Sequence, residues 1–491
     1  MPAPEPGAYR TPPIYRILDD LSGALLLFLI VWVPWALGST TAGAIWLLTW
    51  VGYTLGVLLL AKRFFCRRLS FDPVRWSDDG GWPVKVLAGL SALLILYVVA
   101  SLVNKRAIGI YTHNAPNPVQ ITGVDLQWFE SVAWLPGSYD WPRTMNALFR
   151  YLGVGAMFWA ARDWLAGKSR GERHRATGES EEVFPSARAK LALWTLSLSA
   201  TALAMVGILQ RFDRTPKLLW LFEHRNPADF TFGPFPYRGN GAQYLNLIIP
   251  VTLGFWWALR EQDRRRTGVN RRAGGDAHVL LIPCVILMAA GTAVTTSRGG
   301  FAIMVVLLVS AMMILATARR ATAWLRVSLL VTLALATGAG LLLGGGNLEQ
   351  RFRQIESDNL GGRSEVYRVS HHMAQDFHVF GSGAETFSSI FAFYRTDEKG
   401  VWAAYAHNDW METLITFGWV GGSIIYLLIL MIPVANQFGS GIPANREFRA
   451  LLLLSLAGLL LHAVFDFPFQ IYGILYSFTF LAAVATLATK R

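Results

Sequence analysis

The sequence predicts an all-α integral membrane protein with about twelve transmembrane helices. Three observations predict it. Hydrophobic residues make up 53% of the 491 residues and charged ones 15%, whereas soluble domains carry about 25% charged residues. The apolar residues gather in runs of about 20, the helical length that crosses a hydrocarbon core about 30 Å thick. Lys and Arg fall between alternate runs, the asymmetry that membrane insertion imposes. A cytosolic globular enzyme is excluded, and the mean hydropathy of +0.37 agrees.

In chain order the expected spans lie near 17–37, 41–61, 84–103, 145–161, 190–209, 242–259, 278–295, 299–317, 327–344, 410–435, 450–465 and 470–489. The first run follows a Pro-rich polar stretch and exceeds the 7 to 15 apolar residues, roughly, of a signal-peptide core, so it reads as a retained span. Arg10 and Arg16 precede it, Lys62, Arg63, Arg67, Arg68 and Arg75 follow the second span, and a basic loop at 162–189 follows the fourth. Arg260, Arg264, Arg446 and Arg449 continue the alternation to Lys490 and Arg491. Both termini are therefore expected in the cytoplasm. The chain reads as one polytopic membrane domain, 1–491.

Three segments on the other side exceed simple connectors: 104–144, 210–241 and 345–409. Long loops usually carry function. Trp128, Trp134, Trp141, Trp220, Phe230, Phe232, Phe235 and Tyr237 suit either an interfacial aromatic belt or a sugar-stacking surface. Within 345–409, between the ninth and tenth spans, Val366, Val369, Met373 and Phe377 recur at helical spacing and predict an amphipathic interfacial helix opened by Arg363.

A formal charge of +12 raises the possibility of nucleic acid, but the cations are dispersed among loops and form no basic face, so the expected surroundings are membrane lipids. Two cysteines, Cys66 and Cys284, provide no disulfide framework. There is no His-Glu-x-x-His, Cys pair or dense carboxylate set, and Gly381 to Glu385 lacks the third Gly of a dinucleotide fingerprint. No metal and no cofactor are expected.

The chemistry concentrates in outward-facing cations and one imidazole. Arg298 sits in a minimal turn between the seventh and eighth spans, where a guanidinium cannot reach far into solvent; taken alone it also fits a helix-capping or snorkelling cation. Arg238 stands at the mouth of the sixth span beside Gly239, Asn240 and Gly241. Converging Arg forks match phosphate oxygens bidentately and stay charged, as binding a lipid-linked diphosphate requires. Arg351, Arg353, Arg368 and Arg395 share the long loop. His407, before Asn408, Asp409 and Trp410, is the candidate proton acceptor. Asn408, Asp409 or Glu412 is placed in sequence to orient it.

Four segments in order resemble the O-antigen ligase and O-antigen polymerase superfamily of bacterial membrane glycosyltransferases. They run from Phe232 to Pro250, with Arg238, Asn240 and Tyr244; from Ser297 to Gly300; from Arg363 through Gly381, Gly383 and Phe387 to Tyr394; and from His407 to Gly421. Leu461 to Gln470, with His462, Asp466 and Pro468, also looks like the family's penultimate-helix ending. Glu385, His378 and Val379 depart from the family pattern.

The resemblance implies a GT-C-like helical enzyme in the bacterial inner membrane that works on the periplasmic side. It implies transfer of a glycan from undecaprenyl diphosphate to an acceptor hydroxyl, on a lipid A core or a growing glycan, without metal and with inversion. His407 would be the catalytic base, Arg298, Arg363 and Arg238 would hold the diphosphate, and Asn408, Asp409, Asn240, Tyr394 and Arg395 would support them. Ligase, polymerase and protein O-oligosaccharyltransferase share one such constellation. A secondary transporter with Arg residues along a pathway is the reading from outside this class.

Overall fold

The computed structural model describes residues 11–73, 75, 80–114, 117–169, 172, 184–215, 217–223, 230–265, 277–318, 359–395 and 403–490, with isolated positions between 323 and 338. Among them are thirteen α-helices: α1 (Pro13–Trp35), α2 (Ala42–Arg68), α3 (Gly81–Val103), α4 (Trp141–Ala166), α5 (Ala187–Asp213), α6 (Arg238–Arg265), α7 (Leu281–Val294), α8 (Arg298–Ala316), α9 (Asn359–Asp376), α10 (Phe387–Tyr394), α11 (Asp409–Phe438), α12 (Arg446–His462) and α13 (Tyr472–Leu487). Eleven expected spans coincide with a helix each. The ninth expected span, 327–344, lies almost wholly outside the described residues. Among the described residues, eight helices are long and apolar enough to cross a membrane, which makes this an all-α multi-pass membrane protein.

Burial separates the helices by role. In the apolar window of α6, 94% of residues are buried, as expected of a helix enclosed on all sides; it packs chiefly against α12 and α7. In α2 and α3 the share is only 28%, and Trp50, Val57, Leu60, Leu93 and Leu96 face outward. Such faces are stable against hydrocarbon, where backbone groups are satisfied within the helix and apolar side chains need no cover.

At the end of the bundle that carries the basic loops, charges are paired inside the protein. The buried Lys62 ammonium lies 2.6 Å from Asp163 and 3.2 Å from Asp19, while Arg75 approaches Asp163 at 2.8 Å and Arg188 pairs with Asp19. These bonds join α1, α2, α4 and α5, and removing any one partner would strand a buried charge.

The opposite end holds an addition to the expected fold. Segment 104–144, expected to be a loop, contains an antiparallel hairpin of β1 (Ala107–Asn114) and β2 (Asn117–Trp128), with Ala107 opposite Trp128. The middle of β1 is fixed to the cap of α4 and to α10: the Tyr111 hydroxyl meets Asp140, and Ser389 Oγ lies 2.7 Å from the Tyr111 hydroxyl. The interfacial helix expected at Arg363 is present as α9. Its Val366, Val369 and Met373 are buried against Phe387, Ile390 and Phe391 of α10 and Ile415 of α11.

The segment after α9 is bound to α11 where that helix is broken. Gly418 adopts φ 62°, ψ −171° inside α11, a conformation open essentially to glycine alone. A Cβ there would lie 2.3 Å from the Val379 carbonyl oxygen. The break frees backbone groups for the crossing chain: Trp419 and Val420 donate their N–H groups to the carbonyls of His378 and Val379 at 2.6 and 3.1 Å. The Tyr97 hydroxyl of α3 lies 2.7 Å from the Phe380 carbonyl and 2.9 Å from that of Phe417.

Candidate active site

His407 ends the loop before α11 and has a left-handed backbone, φ 52°. Non-glycine residues seldom hold this conformation unless their surroundings impose it. Here the Tyr367 hydroxyl of α9 donates to the His407 carbonyl at 3.0 Å. On the following residues, Asn408 caps α11 by accepting the Met411 N–H, and the Asp409 N–H donates to the Ala463 carbonyl at 2.9 Å. The Asp409 carboxylate turns away from the imidazole, accepting from the Phe469 N–H at 2.9 Å and the Gln470 amide at 3.2 Å. Glu412 accepts the Ala406 N–H. These three residues therefore position the loop.

The ring itself faces Asp466, in the turn after α12. His407 Nδ1 lies 3.3 Å from Asp466 Oδ1, and the imidazole packs edge-on against Phe467 at 4.7 Å between centroids. With Nδ1–H donated to the carboxylate, the lone pair on Nε2 is the one left to accept a proton.

Arg363 completes the junction from α9. It donates to the Phe465 carbonyl at 2.6 Å and to the Tyr237 hydroxyl at 3.0 Å, and stands 3.7 Å from Asp466 Oδ1. Its side chain and that of His407 are 22% and 28% exposed, against 4% for Asp466, so the two face the opening while the carboxylate lies beneath them. Burial alone would push the Asp466 carboxyl up. The hydrogen bond from His407 and the Arg363 guanidinium override it and hold the carboxyl below the usual carboxylate range. Burial likewise works against the Arg363 charge, but the Asp466 carboxylate holds the guanidinium above its ordinary range. The Tyr237 hydroxyl is pushed up, first by burial and then by Asp466.

The other Arg candidates begin helices that close on this junction. Arg298 is the first residue of α8, whose Ser297 cap accepts the Gly300 N–H at 3.2 Å. The next residue, Gly299, lies against the Phe465 and His462 rings, and a Cβ there would sit 2.5 Å from Phe465. Only a residue without a side chain lets α8 come this close. Arg238 opens α6, directly after Tyr237, and is buried with its guanidinium over the Phe230 ring at 5.2 Å. Asn240 is buried, with its N–H on the Tyr237 carbonyl at 3.0 Å.

Tyr394 and Arg395 lie elsewhere. The Tyr394 hydroxyl donates to Asp376 at 2.6 Å, at the far end of α9, and the Arg395 N–H closes the end of α10 on Phe391. Arg351 and Arg353 lie outside the described residues. Asp466, Tyr237 and Tyr367 enter the site although sequence reasoning named none of them as a site residue. Asp466 did carry a signal: a carboxylate in the short connection between two expected spans, flanked by Phe465 and Phe467, calls for a partner.

Among the described residues, no group of three or more His, Cys, Asp or Glu is arranged to hold a metal ion.

The fold and the junction define a multi-pass helical membrane protein with a His–Asp pair and several cations at one end of the bundle. Residues 283–426 match the family model for O-antigen ligase. The match bears out the resemblance to the O-antigen ligase and polymerase superfamily, and with it an O-antigen ligase-like function. It contains Arg298, Arg363 and His407, while Asp466, which meets His407 and Arg363, lies outside it, as does Arg238. No curated protein matches the chain.

Proposed function

We propose that the protein is a membrane glycosyltransferase that moves a glycan from undecaprenyl diphosphate to an acceptor hydroxyl at the periplasmic face of a bacterial inner membrane, as an O-antigen ligase does. The observation that carries this reading is the His407–Asp466 pair flanked by Arg363. In the proposed reaction the acceptor hydroxyl gives its proton to His407 Nε2 while its oxygen bonds the anomeric carbon. The bond from that carbon to the diphosphate oxygen breaks, and its electron pair leaves with the diphosphate.

Asp466 stabilises the imidazolium that forms and fixes which ring nitrogen is free. Arg363 and Arg298, with Arg238, meet the charge that grows on the departing diphosphate. Preorganised cations in a site shielded from water suffice for this task, so the reaction is proposed to be metal-independent. Attack from the face opposite the leaving group inverts the anomeric carbon.

The test is to incubate purified protein with a lipid-diphosphate-linked oligosaccharide and a glycolipid acceptor in the presence of a chelator, and to read the new linkage by NMR. A single linkage of inverted configuration, formed with undiminished yield, is expected. Retained configuration, or no transfer to any hydroxyl acceptor, would overturn the proposal.

A further inference from the structure

At the end of the bundle opposite His407, a cavity of about 370 Å³ lies among the start of α1, the end of α4 and the start of α5, within the ~300–1,000 Å³ usual for ligand sites. Five charged side chains line it: Arg16, Asp19, Asp20, Lys168 and Arg188. Ala24, Leu27 and Leu191 line it one or two turns deeper along the same helices, and Leu191 is half exposed. From there exposed apolar residues continue down both helices, Phe28 and Val31 on α1 and Leu198 and Met205 on α5. The cavity therefore sits where faces suited to hydrocarbon reach the charged end of the bundle.

Its charges are not equally committed. Asp19 is held by the buried Lys62 at 3.2 Å and by Arg188. Arg188 in turn donates to the Trp164 carbonyl at 2.8 Å and lies over the Trp164 ring. The network behind this wall sets Lys62, Arg63, Arg75 and Arg188 against only Asp19 and Asp163, so the wall is positive and its guanidinium is fixed in place. Arg16 and Asp20 behave differently. They stand one turn apart on α1, line the cavity and are exposed, a spacing at which opposite charges ordinarily pair. Among the described residues, neither forms an ion pair. The cavity thus presents cations and one uncommitted carboxylate at separate points.

We propose that this cavity binds the head of a membrane phospholipid that carries both a phosphate and a primary ammonium, with an acyl chain lying between α1 and α5. Basic pockets between membrane helices are suited to lipid heads. Arg16, Lys168 and Arg188 supply the donors for the phosphate, two of them as planar forks. Asp20 accepts the N–H groups of the ammonium, which has three to give. A head with negative charge alone would leave Asp20 facing a like charge, and one without an acyl chain would leave Leu27 and Leu191 uncovered. The site lies at the far end of the bundle from His407 and does not depend on the transferase reading.

The experiment uses the full chain in dodecyl maltoside micelles and phosphatidylethanolamine bearing a diazirine high in one acyl chain, with labelled peptides mapped by mass spectrometry. Labelling is expected on α1 and α5 around Leu27 and Leu191. Unlabelled phosphatidylethanolamine should displace it at a concentration roughly tenfold lower than phosphatidylglycerol, the scale of one charge-assisted hydrogen bond. Arg16→Gln should weaken labelling by a similar factor, and Asp20→Asn should abolish the preference over phosphatidylglycerol. Both side chains are exposed and outside any ion pair, so neither change disturbs the buried network. Arg446→Gln, at the start of α12 and outside the lining, should alter neither readout.

Phosphatidylglycerol displacing the probe as well as phosphatidylethanolamine does would overturn the proposal. So would an Arg16→Gln or Asp20→Asn protein that labels and discriminates as the wild type does. Displacement by water-soluble glycerophosphoethanolamine at the same concentration as the lipid would assign the site to a soluble phosphoester and overturn the lipid reading.

Discussion

The His407 imidazole and the Asp466 carboxylate, 59 residues apart in the chain, meet at 3.3 Å. Two residues of α9 hold them there: Tyr367 secures the His407 carbonyl, and Arg363 binds both the Phe465 carbonyl and Asp466. The pair supplies what a general base needs, a free Nε2 and a buried counter-charge for the imidazolium.

Asp466→Asn keeps the shape and removes the charge. Transfer should fall on the order of 100-fold or more, because the ring loses both its tautomer preference and its stabilising charge. Binding of the diphosphate donor should largely persist. Steady-state rates at saturating donor check the first expectation, and donor binding by isothermal titration checks the second.

The same carboxylate makes stability depend on pH in a known direction. Unfolded Asp titrates near ~3.9, and the folded carboxyl is held lower. Its contribution to stability is therefore fully present above the unfolded value and is lost as pH falls through the lowered folded value. The melting temperature of the wild type should exceed that of Asp466→Asn at neutral pH. The gap should hold down to about pH 4 and close only below it, as a thermal melt in detergent across pH 3 to 8 would show.

Arg363→Lys retains a positive charge but cannot reach the Phe465 carbonyl, Tyr237 and a diphosphate with one planar fork. Donor KM should rise about tenfold or more, as the loss of a charge-assisted hydrogen bond of about 1.5–3 kcal/mol requires. Acceptor KM should change far less.

Gly418→Ala places a Cβ 2.3 Å from the Val379 carbonyl oxygen in a backbone conformation alanine avoids. The variant should lose about 1–3 kcal/mol or more of stability and melt several degrees lower. Gly422→Ala is the control, since its Cβ would meet nothing nearer than 3.6 Å.

The spans were legible because the bilayer demands a long uninterrupted apolar run from each, and eleven such runs became helices. α9 was legible from the spacing of Val366, Val369 and Met373. The hairpin at Ala107–Trp128 was hidden by Pro116 and Pro118, which weaken a strand reading, and by aromatic residues that equally suit an interfacial belt. His407, Arg298 and Arg238 stood out as polar groups at the ends of apolar runs, and Arg363 as the residue that opens the amphipathic segment of α9. Which groups they meet was not legible, because the contacts join distant segments. Asn408 and Asp409 adjoin His407 in sequence, yet the helix they start directs their side chains to its cap and to Phe469, leaving the ring to Asp466.

The most direct measurement is glycan transfer by purified His407→Ala in proteoliposomes supplied with a lipid-diphosphate-linked donor and a glycolipid acceptor. The account expects a rate lower by roughly 100 to 10,000-fold, the usual worth of a general base, with donor binding retained. Transfer at the wild-type rate would contradict it.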